Sequence, residues 1–259
     1  GVINMNNFKK IGLTALAGSL IATSAFAGSM SVGGSAGISM SNASNYTSGN
    51  SFSSGDSLTF TGSGELDNGM SVVTYQEIDG GNLDDRYFSV EMDGLGKLTF
   101  NAKGGSSAMS AVDDVMPTAY GEAWDILGTT TSGGTSGDSD NTAVAKKGSI
   151  GGTTVENMMV YNNSSFVDGV SLTASYAPSN GTVVESVTSF AVAYTGVEGL
   201  TVGYAVDDNG LAGTSGIDYE TMYAKYAYGP VTIGYQESSQ DANGSTDDDG
   251  FTAMGVTYA

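Results

Sequence analysis

Several segments after Ser29 alternate apolar and polar positions with a period of two, the period of a pleated strand rather than of a helix. In 170–177, Val170, Leu172, Ala174 and Tyr176 alternate with Ser171, Thr173 and Ser175. In 97–103, Leu98, Phe100 and Ala102 alternate with Lys97, Thr99, Asn101 and Lys103. The same holds for Leu200, Val202, Tyr204 and Val206, and for Val231, Ile233 and Tyr235. Two pairs, Val72-Val73 and Met158-Met159, break the alternation. The pattern predicts twelve strands, at 29–40, 57–66, 70–78, 85–93, 97–103, 152–166, 170–177, 185–195, 199–207, 217–228, 231–238 and 250–259.

The connections between these segments alternate in length. Tight turns are expected at Asp67-Asn68-Gly69, Gly94-Leu95-Gly96, Val167-Asp168-Gly169, Gly196-Val197-Glu198 and Gly229-Pro230. Longer polar stretches stand between them, at 41–56, 79–84, 104–151, 178–184, 208–216 and 239–249. An antiparallel meander with short turns at one end and long loops at the other is the organisation of an outer-membrane β-barrel. A soluble β-sandwich shares the alternation but has no reason to sort its loops by length. Tyr176, Tyr194, Tyr228 and Tyr258, apolar-face tyrosines near strand ends, also suit a membrane-interface girdle.

The start of the chain reads as an export signal. Met5 is followed by Lys9 and Lys10, an apolar run from Ile11 to Ala22, and Ala25-Phe26-Ala27, an A-x-A cleavage pattern. Residues 1–4 are read as lying upstream of the start, 5–27 as a Sec signal peptide, and 28–259 as the mature barrel, placed in a bacterial outer membrane. The apolar run is too short for a helical anchor. After cleavage, six basic residues stand against 28 acidic ones, a net charge of −22. That charge disfavours nucleic acid, whose affinity rests on phosphate contacts. The absence of His and Cys removes Ser-His-Asp and Cys-His catalysis and disulfide scaffolds. No recognisable catalytic spacing remains, so the chain is not read as an enzyme, and no cofactor is implied.

The stretch 104–151 is far longer than a hairpin needs, and loops of that size are usually functional or disordered. Its first part carries the apolar anchors Val112, Val115, Met116, Trp124, Ile126 and Leu127, with a short helix expected to start near Pro117, a favoured first-turn residue. Residues 128–141 are Gly, Ser, Thr and Asp. Together the leader, the Asp67-Asn68-Gly69-Met70 turn and the Asp113-Asp114-Val115-Met116-Pro117 segment after the fifth strand resemble the general Gram-negative porins of alphaproteobacterial type. The resemblance extends in organisation over the whole mature chain. It implies a trimer of barrels with the loop after the fifth strand folded into the lumen. It also implies passive diffusion of small hydrophilic solutes, with Asp113, Asp114, Glu122 and Asp125 at the constriction.

This sequence departs from the basic wall cluster of such porins. Its wall candidates are Lys97, Lys103 and Lys225, placed by parity on the lumen side, and Arg86. Arg86 shares parity with Phe88, Val90 and Met92 and is assigned to the outer rim, where a long side chain can snorkel. An excess of acids over bases predicts a cation-preferring pore. The acids Asp207-Asp208 and those from Asp241 to Asp249 are expected in solvated loops, without an EF-hand ligand pattern for Ca²⁺. Porins of this type have roughly sixteen strands and end on an aromatic residue. Twelve strands and a final Ala259 are read as the N-terminal part of a longer product, a complete twelve-stranded barrel being the other possibility. The alternative reading of function is a secreted adhesive or structural β-protein.

Overall fold

A computed structural model of the chain describes residues 28–41, 51–112, 115–117, 156–179, 184–211, 217–242 and 249–259. They form one antiparallel sheet of twelve strands whose spatial order is the chain order. The strands are β1 (Ser29–Ser41), β2 (Ser51–Glu65), β3 (Ser71–Asp79), β4 (Asn82–Met92), β5 (Gly96–Lys103), β6 (Met158–Asn163), β7 (Val170–Ala177), β8 (Val184–Val197), β9 (Leu200–Leu211), β10 (Ile217–Tyr228), β11 (Val231–Ala242) and β12 (Asp249–Tyr258). The sheet is open: among the described residues β1 pairs with β2 alone and β12 with β11 alone. Residues 1–27, with the expected signal peptide, lie outside the described residues.

Strand number and direction follow the alternation, while several ends differ from the sequence expectation. β2 begins at Ser51 rather than 57, so six residues expected in the first long loop are strand. β6 is confined to Met158–Asn163. It is preceded by Asn157 at φ 63, the described non-glycine residue with a positive φ. The expected long connection 79–84 is a correction. Gly80 and Gly81, at φ 54 and 82, make a two-residue turn, because a residue pair free to take positive φ matches the twist of the strands it joins. At the other end, the Gly69 amide donates to the Leu66 carbonyl at 2.8 Å and the Asn68 side chain accepts from the Met70 amide at 3.2 Å. Asx chemistry of this kind closes the turn that Asp67-Asn68-Gly69 predicts.

Register sorts the side chains into two faces. One carries Met30, Val32, Ile38 and Met40 on β1, Phe88 on β4, Phe190 and Tyr194 on β8, Met222 and Tyr226 on β10, and Met254, Val256 and Tyr258 on β12, all exposed. So long a band of bare apolar side chains is unstable in water but suited to lipid. The opposite face holds Ser29, Ser31, Ser35 and Ser39 on β1, aligned with Ser63, Thr61, Ser57 and Ser53 on β2. Further round it carries Thr99, Asn101, Asn162, Thr173, Ser175 and Ser189. The ambiguous methionines resolve accordingly. Met158 is fully buried on the polar-face side against Ala177 and Val187, while Met159, of opposite parity, aligns with Tyr176.

Candidate functional site

The polar face is identified as the inner one by what lies on it. After β5 the chain turns back across the sheet instead of returning directly to β6. Residues 105–112 and 115–117 form a strap, with a 3-10 turn at Ala108–Ala111. Ala108, Met109, Val112 and Met116 pack on Ala191 of β8, Ala205 of β9 and Tyr223 of β10, with Val115, Tyr219 and Ala253 at the margin. Ala191 and Ala205 are small, which leaves room on the wall for Met109 to reach full burial.

Hydrogen bonds tie the strap's backbone to successive strands. The Ala108 amide donates to Ser175 Oγ on β7 and the Met109 amide to Ser189 Oγ on β8, both at 3.0 Å. Ser107 Oγ donates to Asp207 Oδ2 on β9 at 3.0 Å. Gln236 of β11 donates through Nε2 to the Val112 carbonyl and to Thr221 Oγ1, both at 3.2 Å. Thr221 Oγ1 and Ser238 Oγ lie 2.5 Å apart. A 3-10 turn leaves its leading N–H groups without intrahelical partners, and the wall serines satisfy two of them. Replacing Ser189 by Ala leaves the buried Met109 amide without its acceptor, at a local cost of about 1–3 kcal/mol. We expect faster amide hydrogen exchange at Met109 in that variant, with exchange in the β2–β3 ladder unchanged.

The structure places the sequence-derived site residues as follows. Asp113, Asp114, Glu122 and Asp125 lie outside the described residues, as does the helix expected from Pro117 onward. Val112, Val115 and Met116 are packed; Trp124, Ile126 and Leu127 are outside the described set. Lys97 stands on the inner face opposite Glu91 and Asn162. Lys225, on the same face as Thr221 and Tyr223, stands opposite Thr201 and Gly234. Arg86 is exposed and aligned with Gln76. A register shift between Arg86 and Tyr87 aligns Lys103 with Arg86, so parity counted along β5 no longer assigns its face. Its ammonium lies 3.2 Å from Glu156 Oε1, both groups being solvent-accessible.

Asp207 is a correction. It belongs to β9 and is 1% exposed beneath the strap, not in a solvated loop. Asp208 is also in β9 and Asp241 in β11. Sequence reasoning missed Ser107, Ser175, Ser189, Asp207 and Gln236 as strap contacts. Alternation marks the wall members as inner-facing, but nothing local to them marks their partner. It also missed the grouping of Glu77, Asp84 and Asp85 at the β3–β4 turn, whose carboxylate oxygens lie within 4.8 Å of one another. Tyr75 and Tyr87 stack beside it on the inner face, ring centroids 5.0 Å apart.

Comparison with known proteins adds three findings. A family model described as Gram-negative porin matches residues 12–259. No curated protein matches in sequence. Among solved structures, a loop-deletion variant of OmpT, an outer membrane protein of Vibrio cholerae, is similar at TM-score 0.57 and 14% identity, covering 90% of this chain and 77% of that one. Salmonella typhi OmpF, solved with daunomycin, is similar at TM-score 0.52 and 14% identity, covering 89% and 74%. A Rhodobacter blastica porin mutant is 19% identical over 89% and 90% of the two chains, at TM-score 0.41. At these identities the first two likenesses concern the fold alone.

Proposed function

The chain belongs to the Gram-negative porin family, and from that premise we propose that it is a passive, cation-preferring diffusion channel for small hydrophilic solutes and ions. The observation that carries this reading is the division of one sheet into a lipid-compatible outer face and a hydroxyl-rich inner face, with a strap packed on the inner face. An inner wall of Ser, Thr and Asn offers donors and acceptors that replace part of a solute's hydration without binding it tightly, as conduction requires. The strap narrows the space that such a wall encloses.

Cation preference rests on charge. The mature sequence has 28 acids against six bases, and a pore lined by acids lowers the energy of a cation within it. Asp113, Asp114, Glu122 and Asp125 are the acids we assign to the constriction, with Lys97 and Lys225 as the opposing wall bases. The barrel assembles as a homotrimer in the outer membrane after Sec export and removal of residues 5–27. Residues 104–151 constitute the constriction loop.

The test is single-channel recording of the protein in a planar bilayer under a KCl gradient. Stepwise openings with a reversal potential on the cation side are expected. Changing Asp113 and Asp114 to Asn, Glu122 to Gln and Asp125 to Asn together should move that potential toward zero while retaining openings. Anion selectivity in the parent chain would overturn the charge assignment. Failure to insert, with the protein soluble without detergent, would favour the adhesive reading instead.

A further inference from the structure

We propose that a facing pair of glycines on the inner wall, Gly234 of β11 and Gly255 of β12, is a seat that positions the strap and thereby holds the channel's open width steady. The proposal deepens the channel reading and rests on it.

Gly234 and Gly255 are aligned directly across the β11–β12 ladder. Both share inner parity with strap contacts: Gly234 lies two residues from Gln236, and Gly255 two from Ala253. Neither is among the glycines with positive φ, so their backbone conformation does not require glycine. Glycine inside a strand weakens it and commonly marks close approach of another chain segment. Here that segment is Met116-Pro117. A Cβ on Gly234 would lie 2.5 Å from Pro117 Cδ and 3.0 Å from Met116 Sδ. On Gly255 it would lie 3.0 Å from Pro117 Cγ and Cδ and closer still to the Pro117 carbonyl oxygen.

A second glycine pair supplies the contrast. Gly37 and Gly55 face each other in the same way across β1 and β2. A Cβ on either would meet nothing within 4 Å. Facing glycines in this sheet therefore need not be occupied, and the β11–β12 pair is distinguished by its occupant. Proline suits the seat because its ring is rigid and it brings no N–H to leave unpaired against the wall. Five residues earlier, the Gln236 amide holds the Val112 carbonyl at 3.2 Å. The strap is thus anchored at two points, and Asp113 and Asp114 join them in sequence.

The experiment compares Gly234→Ala, Gly255→Ala and Pro117→Gly with the control Gly37→Ala, all in the full chain. In bilayer recordings the three seat variants should change open-channel conductance by a factor of about two or more and raise open-channel current noise. The control should match the parent. Thermal unfolding midpoints in detergent report whether folding itself has changed; Pro117→Gly, outside the sheet, decides if a glycine variant does not fold. Unchanged conductance and noise in the seat variants overturn the seat. Amide exchange at Val115 and Met116 reads the seat independently of conduction. Faster exchange in Gly234→Ala than in Gly37→Ala supports it, and equal exchange overturns it. A parent chain that forms no channel overturns the channel reading and leaves the exchange result to decide the seat.

Discussion

Arginine in place of Ala224 should destabilise the folded protein in a bilayer by about 2–4 kcal/mol, the cost of an Arg on the lipid face near the midplane. Ala224 sits at the middle of the outer band, opposite Val202 on β9 and Tyr235 on β11, and is exposed. An added side chain there meets the surrounding medium rather than protein, so overpacking contributes little and the medium decides the penalty. The adjacent residue provides the control. Lys225, on the inner face, carries a charge in the native sequence, and its replacement by Ala should change stability by less than about 0.5 kcal/mol. Urea unfolding in lipid vesicles measures both. If Ala224→Arg costs no more than Lys225→Ala, the outer band does not face lipid, and the assignment of faces fails.

If the chain is the cation-preferring channel proposed above, excision of residues 106–155 should leave the sheet folded, raise conductance severalfold and weaken that preference. The hairpin β5–β6 pairs from Lys97–Asn162 to Asn101–Met158 without help from the strap, and the residues remaining after excision can close it. The uncovered wall groups, Ser175, Ser189 and Gln236, are polar. Facing an aqueous lumen they exchange strap partners for water, so little is lost in hydrogen bonding. What disappears is the steric obstruction and, with it, Asp113, Asp114, Glu122 and Asp125. Single-channel recording separates the two effects: current amplitude reports the obstruction and reversal potential reports the acids. A deletion variant with parental amplitude would mean that the loop does not set the conductance.

The two faces were legible in the sequence because strand alternation is a local property. A residue's parity assigns its face without any knowledge of its neighbours, provided the pleat is uninterrupted. That is why the apolar sets of β5, β7, β9 and β11 could be written down before their pairing was known. Turns governed by glycine, such as the one at Gly69, were legible for the same reason. Where the pleat is interrupted the argument stops. The shift between Arg86 and Tyr87 depends on how β4 meets β5, and Lys103 loses its assignment there. The Gly80-Gly81 pair is a local turn signal, and it shortens the stretch expected as a loop at 79–84 to two residues.

By itself, then, the sequence determined that this is a membrane-facing antiparallel β-protein of acid-rich composition, because period-two alternation, turn residues and charge all act over a few residues. The tertiary structure alone decided what the segment after β5 does. The partners of Ser107, Ala108, Met109 and Val112 lie 100, 67, 80 and 124 residues away. A serine that caps a distant amide has the same local pattern as one that faces water. Likewise, Gly234 and Gly255 become a seat only when register sets them side by side beneath Pro117. The physical reason is that close approach depends on which surfaces meet, and no residue carries that information before the sheet has formed.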